Sequence, residues 1–64
     1  MAKVTLLTTG GYRGLEAAIG KTFEATKFVG HWSIQGADLE KAGAKPVMKE
    51  YAFLQRELRF QWQA

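Results

Sequence analysis

The stretch Pro46–Gln63, PVMKEYAFLQRELRFQWQ, decides the fold, because it supports two incompatible periods. Val47, Tyr51, Leu54, Leu58 and Trp62 recur at helical spacing, and Pro46 suits a first helical position. Such a helix would leave Phe53 and Phe60 on its polar side. With period two, Leu58, Phe60 and Trp62 share one face while Arg59, Gln61 and Gln63 share the other, after a reversal near Gln55-Arg56. Only as strands do all the rings find a place, so strands are expected here.

Working back from that stretch, Ala44-Lys45-Pro46 reads as linker. Gly36–Gly43, GADLEKAG, reads as one helical turn, with acids early, Lys41 late and Gly43 as the stop. In His31–Gln35, Trp32 and Ile34 face together and His31, Ser33 and Gln35 face apart. Lys21–Val29 also alternates, with Phe23 and Ala25 opposite Thr22, Glu24 and Thr26. Gly30 between the two runs predicts a hairpin, and Phe28-Val29, which breaks the alternation, marks a bulge or the strand's end. Lys3–Thr8 reads as the first strand, with Val4 and Leu6 on one face.

Between these strands lies Leu7–Ile19, LTTGGYRGLEAAI. Gly10, Gly11 and Gly14 supply tight reversals, and Tyr12 and Arg13 are displayed between them. Glu16-Ala17-Ala18 sits in too short a span for a stable helix, so a loop or the edge of the second strand is expected. Short strands, glycine reversals and one helical turn predict a single domain, 1–64, that is mainly β: five antiparallel strands curled into a small barrel.

Sixty-four residues bury only about 60% of the surface that the unfolded chain exposes. With no cysteine and one histidine, neither a disulfide nor a structural zinc site is expected to compensate. The core must come from four Phe, two Trp and two Tyr, with self-association as the other outlet. No leader is read at Met1-Ala2-Lys3, and no apolar run approaches the roughly 20 residues of a membrane span. A soluble, cytoplasmic protein is expected. Its net charge of +3 favours an anionic partner without demanding one.

Leu7, Gly10, Tyr12, Arg13, Gly14 and Ile19 resemble the KOW motif, in which a strand runs into Gly-x-Tyr-Lys/Arg-Gly, then a glycine, then valine or isoleucine. The likeness spans Val4 to Phe23, and Ala17 stands where the motif has its later glycine. It implies a barrel of the SH3-like type that contacts RNA or protein. The Gly-Ala-Asp-Leu stretch and the small size are also similar to small barrel proteins encoded by bacteriophages. That likeness implies a protein that blocks a host enzyme or defence system in the host cytoplasm.

Tyr12 and Arg13 form the sharpest candidate pair. The guanidinium would hold a phosphate or carboxylate while the ring stacks on a base or packs on a partner. The plainer alternative is that Tyr12 covers the barrel's open side and Arg13 is solvated. At the other end, Phe60 is expected in the core, and Trp62 either closes the barrel or extends an apolar patch rimmed by Arg59 and Gln61. Arg56 is a further partner-binding candidate, and aromatic rings and arginine are residue types enriched at protein interfaces. For nucleic acid, the footprint would be Tyr12, Arg13, Lys21, Lys27 and Arg59, diluted by Glu16, Glu24 and Glu57.

Catalysis is not expected. His31 has no orienting acid, Ser33 is the only serine, and no nucleophile-elbow or phosphate-loop spacing occurs. No cofactor or metal ligand set is read. The expectation is a non-enzymatic binding module that binds, and inhibits, a protein. An RNA- or DNA-binding protein is the alternative, and a nucleotide-binding small dimer the third; homo-oligomers stay open.

Overall fold

Pro46–Gln61 is not a helix: its period-two pattern prevails, and it forms two strands around a tight turn. The computed structural model describes Ala2–Gln61, and Trp62 lies outside the described residues. The five strands, in chain order, are β1 (Ala2–Leu6), β2 (Thr22–Phe28), β3 (His31–Gln35), β4 (Glu50–Phe53) and β5 (Leu58–Phe60). One helix, α1 (Gly36–Lys41), and two 3₁₀ turns, Glu16–Ala18 and Gln55–Glu57, connect them.

Every pairing is antiparallel, and the strands lie in the order β4-β3-β2-β1-β5. β2 is divided between two ladders. Thr22–Ala25 pairs with β1, matching Phe23 to Val4, whereas Thr26–Phe28 pairs with β3, matching Lys27 to Trp32. A strand shared in this way bends one ladder over the other. Trp32 of β3 and Phe60 of β5 accordingly meet with ring centroids 4.7 Å apart. In a flat sheet their strands would lie three spacings, roughly 14 Å, apart. The structure is therefore a curled five-stranded sheet, compatible with an SH3-like barrel, although no ladder joins β4 to β5 among the described residues.

The concave face carries the core. Val4, Leu6, Phe23, Ala25 and Leu58 of one ladder close on Ile34, Tyr51 and Phe53 of the other, with Leu15 and Leu39 filling in from the connections. Alternation fixes this: each inward residue is separated from the next by a polar or small one. Leu39 anchors α1, which ends at Lys41 with Gly43, at φ +99°, following as the expected stop. There the Ala44 N–H donates to the Leu39 carbonyl at 3.1 Å, satisfying a last-turn acceptor.

Two glycines hold the connections to this frame. The Gly36 N–H donates to the Lys49 carbonyl at 2.6 Å, and a Cβ at Gly36 would run into the Met48 carbonyl oxygen. Gly14, at φ +83°, accepts from the Lys45 N–H at 2.7 Å and leaves no room for a Cβ against the Lys45 carbonyl. The segment read as linker is thus held at both ends. Buried Tyr51 fixes the residues just beyond it, because its hydroxyl accepts from the Val47 and Met48 N–H groups at 2.7 and 3.1 Å.

Two local expectations need correction. Glu16–Ala18 is a 3₁₀ turn rather than a loop or strand edge. Two consecutive i to i+3 bonds make it: the Ala18 N–H donates to the Leu15 carbonyl at 2.9 Å, both residues being buried, and the Ile19 N–H donates to the Glu16 carbonyl at 3.2 Å. The first strand stops at Leu6 instead of Thr8, because the Leu7 N–H turns to the Glu57 carbonyl at 3.0 Å.

Candidate functional site

The hairpin between β2 and β3 is closed by Val29 and Gly30, since Phe28 pairs with His31. Among the described residues nothing covers this tip. Phe28 is 46% exposed and Val29 100%, and the Phe28 ring stacks on His31 with centroids 5.3 Å and planes 12° apart. A fully solvated valine beside a half-solvated phenylalanine is an apolar knob held on a rigid hairpin.

Period two places the neighbouring pair, Lys27 and Trp32, on the concave face. The Lys27 ammonium lies 5.9 Å from the Trp32 ring centroid, within cation–π range, and the Phe60 ring meets Trp32 edge-on. The second 3₁₀ turn, which links β4 to β5, adds Gln55. The result is a two-lobed cleft sharing Lys27, Trp32 and Gln55. One lobe, about 190 Å³, adds Phe28, Gly30 and His31. The other, about 320 Å³, adds Ala2 and Phe60. Among the described residues neither wall contains an acid, so the cleft they form is aromatic and cationic.

The residues singled out from sequence do not converge. Tyr12 was expected on display, but its ring packs edge-on against Tyr51 and Phe53, with centroids 4.8 and 5.7 Å away. Its hydroxyl donates to the Ala52 carbonyl of β4 at 3.0 Å, occupying an acceptor on the sheet's edge strand. The glycine-rich connection folds back over β4 and takes the ring with it. Arg13 remains exposed, next to Gly14, whose carbonyl accepts from the Lys45 N–H. Arg56 is exposed next to Gln55 on the 3₁₀ turn.

Arg59 and Gln61 lie on the convex face. Arg59 pairs with Thr5, and the Gln61 amide donates to the Thr5 and Thr22 hydroxyls, both at 3.3 Å. Lys21 is exposed just before β2, and Lys27 alone of the expected bases reaches the cleft. Phe60, expected in the core, is half-buried there, and so is Trp32.

The polar groups with catalytic potential are otherwise engaged. The Ser33 hydroxyl donates to the Glu50 carboxylate at 3.0 Å and is buried, while His31 is stacked on Phe28. Among the described residues no cluster of three or more His, Asp or Glu forms, and no helix is long and apolar enough to cross a membrane.

Sequence reasoning missed Phe28, Val29 and Gln55 as surface of interest. The signal was present in one place: two consecutive large apolar residues broke the alternation at a hairpin's end, where the second has no strand face to occupy. Comparison with protein-family models, curated proteins and solved structures found no match.

Proposed function

We propose that this chain is a non-enzymatic binding module whose partner is a protein, engaged through the β2–β3 hairpin tip and the cleft beneath it. The observation that carries this is the apolar knob of Phe28 and Val29 beside an acid-free aromatic cleft. Exposed apolar side chains gathered at one place are characteristic of surfaces that a partner covers. Aromatic and cationic residues around them fit the composition of binding hot spots. Lys27 and the neighbouring Arg56 favour a target surface rich in carboxylates. A stoichiometric binder of this size acts by covering a surface of its target, which is the mode of an inhibitor.

Nucleic acid is less well matched. Trp32, the largest ring of the cleft, already has the Lys27 ammonium 5.9 Å from its centroid and the Phe60 ring packed on it at 66°, which narrows the platform it offers a base. A solvated valine at the tip has no role on a phosphate backbone.

The test is capture from a lysate of the cell in which the chain acts, with and without nuclease, using the wild type and Val29→Asp. A protein retained after nuclease and lost with Val29→Asp, at unchanged melting temperature, is the expected result. Capture that disappears with nuclease, or that Val29→Asp leaves intact, would overturn it.

A further inference from the structure

β3 has a different apolar surface at each end. Phe28 and Val29 mark one. At the other, where β3 runs into α1, Val47 is 89% exposed and Met48 45%. They border a groove of about 290 Å³ floored by Gly36 and Ala37, to which α1 contributes Glu40 and the segment before β4 contributes Lys49. The backbone that presents Val47 and Met48 is fixed from below. Its N–H groups donate to the buried Tyr51 hydroxyl, and the Lys49 carbonyl accepts from Gly36. An apolar step this exposed and this well held is a surface suited to a cover.

Charge selects the cover. The groove holds one acid and one base, and neither forms an ion pair among the described residues. Lys45, whose backbone is held against Gly14, does not line the groove, and Lys41 lines a different depression with Asp38. In a chain of net charge +3 this patch is locally neutral. A strongly acidic or strongly basic partner finds no complementary field there. A second copy related by a two-fold axis does, because a self-complementary contact in which Glu40 of each copy faces Lys49 of the other satisfies both charges. The hairpin-tip cleft is no match for it, since among the described residues it offers Lys27 and no acid.

We infer that this groove is a self-association face. Two copies of the chain pair across it about a two-fold axis, with Val47 and Met48 packing on their counterparts and Glu40 facing Lys49. This goes beyond the proposed function and rests on other residues. It leaves the hairpin tip of each copy free, so the pair holds two binding surfaces and gains avidity for a clustered target.

A groove of this size makes a weak dimer, at the low end of interface areas. Sedimentation equilibrium of the full chain between about 1 and about 500 µM, the range over which so small an interface dissociates, tests it. The mass is expected to rise from 7.1 kDa toward twice that value. Val47→Asp should stay monomeric with an unchanged melting temperature. Glu40→Lys should weaken association by about tenfold or more, and Glu40→Lys with Lys49→Glu should bring it back to within about threefold of wild type. A wild type that stays at monomer mass, a Val47→Asp variant that associates like wild type, or a charge swap no better than the single change would overturn the inference.

Discussion

Trp32 and Phe60 meet edge-on, with planes at 66° and centroids 4.7 Å apart, although β2 and β1 lie between their strands in the sheet. This contact joins the two ladders at the mouth of the cleft, so stability and site geometry depend on the same pair. Trp32→Leu and Phe60→Leu should each cost about 1–2 kcal/mol, less than a fully buried aromatic. In a double-mutant cycle by urea denaturation their coupling should be about 0.5–1.5 kcal/mol. Strict additivity would mean that the rings do not touch in solution and that the sheet is less curled.

Tyr51→Phe removes a hydroxyl but no packing volume. It leaves the Val47 and Met48 N–H groups without their acceptor. Such groups cost about 1–3 kcal/mol when buried, and these are partly buried, so a loss near the lower end is expected. Hydrogen exchange should speed up at Val47 and Met48 while the β1–β2 amides stay protected. Uniform loss of protection would instead place Tyr51 at the centre of global stability.

These two contacts mark the limit of what was legible in the chain. Alternation of apolar with polar or small residues at 22–25, 31–35 and 58–60 exposed the strands, although Ser33 is buried along with Ile34 and only the first half of β2 has a buried face. Gly30 and the GADLEKAG stretch punctuated them locally. The Tyr12 hydroxyl, by contrast, finds its acceptor at Ala52, and the Tyr51 hydroxyl spans a turn that no periodicity encodes. Sequence spacing says that Tyr12 sits among glycines, not that the glycines fold it onto β4. The candidate site suffered similarly. Its cleft takes residues from Ala2, β2, β3, the second 3₁₀ turn and β5, which only the curl of the sheet brings together.

Alanine at three glycines separates backbone strain from collision. Gly11 has φ +88° and open space around it, so Gly11→Ala should cost only the strain of a left-handed residue, about 1–2 kcal/mol. Gly14 combines φ +83° with a carbonyl oxygen in the way, and Gly36 faces collision with backbone that cannot yield without losing the bond to Lys49. Both should cost more than Gly11→Ala, by thermal or urea unfolding. If all three cost the same, the 44–49 segment is not held against Gly14 and Gly36 as described.

Binding kinetics should distinguish the knob from its charged rim. Val29 is fully solvated in the free protein, so burying it in a partner adds contact that is lost only on dissociation. Val29→Asp should raise the dissociation rate of the captured protein by about tenfold or more, as hot-spot truncations do. Lys27 in the cleft wall and Arg56 beside Gln55 carry charge that also acts on an approaching partner at a distance. Lys27→Gln and Arg56→Gln should therefore slow association by about two- to fivefold at low salt, an effect that vanishes as salt screens it. Arg13→Ala, in the glycine-rich connection, should change neither rate. Biolayer interferometry on the captured protein at two ionic strengths reads all four. A response confined to Arg13→Ala would move the working surface from the hairpin tip to the glycine-rich connection, beside Lys45.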